Sequence, residues 1–133
     1  MKKIFVLVVI IFILTVIGGA IIILFHSNKH HSIKEFDVLE YQWEIENFSF
    51  EKNVGQIDDA DTAIEKAKDL WSENYSTVNN QPYDPIKKRK IEVFFDQHND
   101  CWLVKTTLPS NTKGAVPHTI IEKDGTVLAV WMG

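Results

Sequence analysis

Twenty-two consecutive residues, Ile4–Phe25, carry no charge, and 19 of them are apolar. At 1.5 Å per residue such a run makes a helix of about 33 Å, enough to cross a hydrocarbon core of ~30 Å. Eighteen of the 22 are Ile, Val, Leu or Phe, each favouring insertion by roughly 0.3–0.6 kcal/mol. A single N-terminal transmembrane helix is therefore expected over residues 4–25. The competing reading is a cleaved signal peptide, with Lys2 and Lys3 as its n-region and Gly18, Gly19 and Ala20 as its small residues. The apolar stretch exceeds an h-region of roughly 7–15 residues and continues through Ile21–Phe25, so an uncleaved anchor is the expectation. Lys2, Lys3 and the terminal amine on one side against Lys29 and Lys34 on the other, about three charges to two, favour a cytoplasmic (inner) membrane anchor with the C-terminal domain outside the cytoplasm. Thr15 and Gly19 have the spacing of a helix-packing pair, although small residues are ordinary in membrane spans.

Setting that run apart changes the composition of what remains. Residues 34–133 hold 18 Asp and Glu against 11 Lys and Arg, a balance of −7 inside a whole-chain charge of −4. An acidic domain of this kind argues against nucleic acid as a partner. About 100 residues make one domain, and the lone Cys101 excludes a disulfide scaffold. The expected organisation is an anchor over 1–25, a polar juxtamembrane linker over 26–34 and one domain over 35–133. In the linker, His26 and His30 stand at i,i+4 with His31 beside them. A structural zinc site needs four ligands, and neither Cys101 nor His98 is placed by the sequence to complete one, so no metal is expected.

Within the domain the clearest element is a helix. Ala60, Ala63, Ile64, Ala67, Leu70, Trp71 and Tyr75 repeat at the spacing of one buried stripe. Asp58, Asp59 and Asp61 crowd its start, with a Thr62–Glu65 capping box or Asp61 itself as the cap. The last third reads as strands. Ile91, Val93 and Phe95 share a face, as do Trp102, Val104 and Thr106, and Asp124-Gly125 marks a hairpin between His118–Glu122 and Thr126–Trp131. Residues 35–51 are mixed. Tyr41, Trp43 and Ile45 alternate with polar residues, which predicts one or two strands, with a short helix through Phe36–Trp43 as the alternative. Together these give an α+β fold: one amphipathic helix packed across one face of a curved antiparallel sheet.

No motif with catalytic mechanics is present: no glycine-rich phosphate loop, no Gly-x-Ser-x-Gly, no His-Glu-x-x-His. Cys101 reads as a small buried hydrophobe, since a nucleophile would need a base such as His98 or His118 beside it. Lys87, Lys88, Arg89 and Lys90 form one basic run, suited to phosphates or anionic head groups or, more simply, to a solvated strand edge. Of four tryptophans, Trp43, Trp71, Trp102 and Trp131, the second and third fit the core. An exposed Trp131 would suggest a binding hot spot.

The order of several short motifs resembles a known family. Asp61, Thr62, Ala63, Ile64 and Trp71 with Tyr75 come first, then Gln81-Pro82-Tyr83, Cys101–Val104, Thr107-Leu108-Pro109, Lys113–Pro117 and Ile121–Leu128. This series, over about residues 56–133, resembles the NTF2 fold immunity proteins of bacterial polymorphic toxin systems. Ala115 departs from the pattern by standing where the family usually has a second glycine. The resemblance implies an NTF2-like or cystatin-like fold and a protein that binds and neutralises a cognate toxin. It carries over no catalytic, cofactor-binding or metal-binding residue, so the expected protein is not an enzyme.

The expected function is thus a non-catalytic, membrane-tethered immunity protein whose partners are a cognate protein toxin and, through residues 4–25, the membrane. Two other classes compete. A membrane-anchored PepSY-like regulatory or inhibitory module also pairs a helix with a Trp-bearing antiparallel sheet. An enzyme with an NTF2-like pocket would use residues such as Asp96, His98 or His118.

Overall fold

The computed structural model describes residues 31–133, which form one compact unit. The expected anchor, Thr15, Gly19, His26 and His30 lie outside the described residues. Among those described, no helix is long and apolar enough to cross a membrane.

The chain order is β1 (Ile33–Glu35), a 3-10 turn (Val38–Tyr41), α1 (Gln42–Asn47), α2 (Ala60–Tyr75), β2 (Thr77–Val78), β3 (Gln81–Pro82), β4 (Lys90–Asp96), β5 (Cys101–Thr107), β6 (Pro117–Glu122) and β7 (Val127–Met132). Five strands form the main sheet in the order β1-β4-β5-β6-β7. The β4 to β7 neighbours are antiparallel, with Val93 opposite Val104 and Trp102 opposite Ile121. β1 runs parallel to β4, pairing Ile33 with Val93.

α2 forms where the periodicity predicts it. Its stripe of Ala60, Ala63, Ile64, Ala67, Leu70 and Trp71 is buried against Val93, Trp102, Val104, Ile121, Val127 and Val130. Burying each large apolar side chain of this kind is worth roughly 1.5–3 kcal/mol. The cap is neither residue expected from the sequence: Asp59 accepts from the Thr62 N–H at 2.7 Å. After the helix, β2 and β3 turn through Asn79 and Asn80, both at positive φ (52° and 61°), the two-residue geometry of a type I′ hairpin.

The expected architecture, one helix on one face of a curved antiparallel sheet in an NTF2-like or cystatin-like arrangement, is overturned. The sheet is mixed, because β1 adds a parallel edge. It is also covered on its second face, where the 3-10 turn and α1 meet a separate core of Val38, Cys101, Leu103, Ile120, Ala129 and Trp131. The strands expected within 35–51 are short helical turns, the alternative reading of that stretch. Val38, Tyr41 and Ile45 sit at i, i+3, i+7, and that helical period outweighs the alternation. The unbroken apolar runs Cys101–Val104 and Val127–Trp131 belong to strands buried on both faces.

The β6–β7 turn is locked by a neighbouring segment. The Asp124-Gly125 hairpin forms as expected, with Asp124 accepting from the Thr126 N–H at 2.8 Å. Gly125 has φ +94°, and a Cβ there would meet the Gly55 carbonyl oxygen at 2.3 Å, so the position needs glycine for both backbone and space. That contact belongs to residues 48–57, which run beside β7. Phe48 O accepts from Val130 N at 3.2 Å and Lys52 O from Val127 N at 2.9 Å, while Val54 N donates to Gly125 O at 2.9 Å.

Candidate interaction surface

The second face of the sheet builds upward into a set of aromatic rings. The base is Trp131, 6% exposed. The His118 imidazole stacks on it at 4.8 Å and 13°. Phe48 stacks at 6.4 Å and 15°, and Tyr41 leans in at 6.1 Å. Trp43 meets Phe48 edge-on at 5.7 Å. Phe36 meets Tyr41 the same way at 5.8 Å. Offset-stacked and edge-to-face pairs each add about 0.5–1.5 kcal/mol beyond burial.

The outer layer of this set is open to solvent. Trp43 is 64% exposed, Leu39 62% and Phe48 36%. Trp43 and Phe48, held out from a fixed aromatic base, with Leu39 exposed on the preceding 3-10 turn, make an unusual surface, since Trp is normally buried. The cause is helical geometry. Ile45 of α1 and Tyr41, the residue just before it, both face the core, so Trp43, about 200° from Ile45, must point away. Residues 35–51, which carry it, include Glu35, Asp37, Glu40, Glu44, Glu46 and Glu51 and no Lys or Arg. Lower on the same face the charges balance differently: Lys34 pairs with Glu92 at 2.7 Å, and Lys34 and Lys105 both lie over the Phe94 ring. The exposed apolar side chains therefore belong to an acidic segment of the chain.

Of the residues singled out in the sequence, Asp96, His98 and Cys101 share the β4–β5 turn, and His118 stands apart from them at the start of β6. Cys101 is buried, its Sγ donating to Asn99 O at 3.2 Å. Burial, with Glu122 and Asp96 nearby, pushes its thiol up to about 12. Asp96 is buried and accepts four hydrogen bonds: from Val38 N (2.9 Å), His98 N (2.9 Å), Asn99 N (3.1 Å) and Asn99 Nδ2 (2.8 Å). Burial raises its pKa, but these donors outweigh burial and hold the carboxyl below its ordinary value. It ties the β4–β5 turn to the 3-10 turn. His98 is exposed on that turn, away from His118.

His118 is half-buried against Trp131, and its Nδ1 donates to Val116 O at 2.9 Å. Burial lowers its pKa first. The Val116 bond opposes that shift, Lys105 adds to it, and Glu44 opposes it. His31 lies 3.6 Å from Asp61. Among the described residues no group of His, Cys, Asp and Glu is arranged to hold a metal. Trp71 and Trp102 are core residues as expected, whereas Trp131, the expected hot spot if exposed, is the buried base.

Of the basic run, Lys87, Lys88 and Lys90 are exposed. Arg89 is held, donating to Tyr83 OH at 2.6 Å and to Ala115 O at 3.0 Å. Sequence reasoning missed Leu39, Trp43 and Phe48 as surface residues. The signal that finds them is the 38/41/45 helical spacing, which leaves 39 and 43 on the outside.

No known family model, curated protein or solved structure matches this chain.

Proposed function

We propose that this protein is a non-catalytic, membrane-tethered immunity protein that binds and neutralises a cognate toxin of a bacterial polymorphic toxin system. The ordered motifs over residues 56–133 support the family, and the apolar run 4–25 supports the tether. The observation that carries a binding role is Trp43, 64% exposed on a stacked aromatic base. Binding hot spots favour Trp and Tyr anchors presented rigidly, because little side-chain entropy is then lost on docking. The six carboxylates across 35–51 select a basic partner face and speed its encounter.

Co-expression with the toxin encoded beside it tests the reading. Protected cells are the expected result, and continued killing sinks it. Absence of protection together with altered activity of a companion protease or sensor kinase is the outcome a PepSY-like regulator gives.

A further inference from the structure

The loop between β3 and β4 borders an open groove of about 760 Å³, lined by Pro82, Tyr83, Asp84, Lys87, Lys88 and Arg89. Its size lies within the roughly 300–1,000 Å³ of small-molecule sites. Three of the six lining residues are cations and one is an acid. The acid is occupied: Asp84 Oδ1 accepts from the Ile86 N–H at 3.0 Å.

The loop is held in shape from within. Pro85 is buried, and Ile86 packs against the core beneath α2. Arg89 N donates to Ile86 O at 3.2 Å. The Arg89 guanidinium donates to Tyr83 OH at 2.6 Å and to Ala115 O at 3.0 Å. Those bonds use two of its five N–H donors and fix the planar fork that suits a phosphate.

Lys88 supplies an independent observation. Among the described residues, five other than glycine have positive φ, and four of them are Asn79, Asn80, Asp100 and Asn111. Asn and Asp tolerate that conformation. The fifth is Lys88, at φ 59°, where a long side chain brings no local compensation. Glycine would suit the backbone better. What lysine adds there is an exposed ammonium on the wall of the groove.

Other carboxylates near these elements are paired or face elsewhere. Glu92 is bonded to Lys34 and Glu73 to Lys52. Glu44 belongs to α1, which packs on the opposite face of the sheet from Ile86. Asp61 starts α2, about 22 Å along its axis from Ser76, whose carbonyl takes the Tyr83 N–H.

We propose that this groove binds a small organic phosphate, its phosphate against Lys87, Lys88 and Arg89 and its organic part against Pro82 and Tyr83. Arg and Lys together give both the fork and the point charges that phosphates favour. A long polyanion fits less well, because the balance of −7 over residues 34–133 repels the strand beyond the groove. The groove is independent of the Trp43 surface and of toxin binding.

The test is calorimetric titration of the full chain, in neutral detergent, with pyrophosphate and with ATP, no divalent cation being present. Saturable binding at one site per chain is expected, tighter for ATP than for pyrophosphate. Lys88→Gly should weaken it about tenfold, as loss of one charge-assisted contact does, while melting no lower than the natural protein. Lys87→Ala, at an exposed side chain, should weaken it too, so the outcome does not depend on the glycine variant folding. Lys123→Ala, on the β6–β7 turn, should leave it unchanged.

No saturable binding of either probe at millimolar concentration overturns the proposal. So does affinity unchanged in both groove variants, or an equal loss in Lys123→Ala, which would mark diffuse charge attraction. Equal affinity for the two probes overturns the role of Pro82 and Tyr83. Tighter binding of an oligothymidylate than of ATP overturns the assignment to a small molecule.

Discussion

The Trp71 indole N–H donates to the Thr119 hydroxyl at 2.7 Å, joining α2 to β6 where neither residue has exposed surface. On the neighbouring strand Thr106 is also buried, yet its hydroxyl meets no partner among the described residues. One substitution should therefore act with opposite signs. Thr119→Val strands a buried indole donor and is expected to cost about 1–2 kcal/mol, whereas Thr106→Val removes an unpaired hydroxyl and is expected to stabilise by up to about 1 kcal/mol. Thermal unfolding followed by tryptophan fluorescence reads both. Destabilisation of similar size in the two variants would contradict the assignment.

Asp96 joins the β4–β5 turn to the start of the 3-10 turn through its four donors. Asp96→Asn replaces one acceptor oxygen by a donor that faces other donors, at an expected cost of about 2 kcal/mol. The sign with pH follows from the lowered pKa. Stability from the ionised carboxylate is complete above its unfolded value near ~3.9 and is lost as pH falls through the lower folded value. Acid unfolding should accordingly be less steep in Asp96→Asn than in the natural protein, and unchanged steepness would count against this role.

Gly125 offers a prediction about backbone rather than side chains. Its φ is +94°, and the Gly55 carbonyl oxygen lies 2.3 Å from where a Cβ would stand, so Gly125→Ala must displace the 53–57 segment. The expected loss is about 2–4 kcal/mol, well above the ~1 kcal/mol of a simple positive-φ alanine. Gly55→Ala is the comparison, because nothing lies within 4 Å of its Cβ position. Equal losses at the two positions would show that contact with Gly55 contributes nothing.

His118 makes the aromatic face sensitive to pH. Trp131 lies on its ring, Val116 O takes its Nδ1–H, and Lys105 and Glu44 approach from β5 and α1. Because burial and Lys105 hold its pKa below the ordinary value, the unfolded chain takes up a proton first as pH drops. Stability from the neutral ring is thus complete above about pH 6.5 and falls away as pH passes through the folded value. His118→Gln should flatten the melting-temperature profile between pH 7 and pH 5, and Glu44→Gln should steepen it. A natural protein that keeps the same melting temperature across that window would refute the point.

Elements defined by a strong local period were legible in the sequence: the α2 stripe, the inner faces of β4 and β5, and the Asp124-Gly125 hairpin. The second layer was not. Tyr41, Trp43 and Ile45 fit a two-residue alternation as well as a helical period, and only the core beneath Tyr41 and Ile45 decides between them. β1 escaped notice because three exposed residues carry no hydrophobic pattern, and a parallel edge strand is defined by its neighbour. Asp59 was one of three candidate acids at a helix start, which only backbone geometry separates. The aromatic surface was hidden for the same reason as α1. Without that helix, Trp43 is one more inward-facing ring and Trp131 a candidate for the outside.

On the proposed immunity reading, Trp43 and Phe48 are the groups whose loss should weaken partner binding most directly. Trp43 is exposed and Phe48 sits at the surface, so W43A should leave the melting temperature nearly unchanged while removing most of the binding energy of an anchor residue, about 2–4 kcal/mol. The direct measurement is survival of cells that express the adjacent toxin together with natural protein, W43A or a distant surface control such as Lys66→Ala. Protection by the natural protein and by K66A is predicted, with its loss in W43A at equal protein level. Full protection by a folded W43A would contradict a toxin-binding role for this surface.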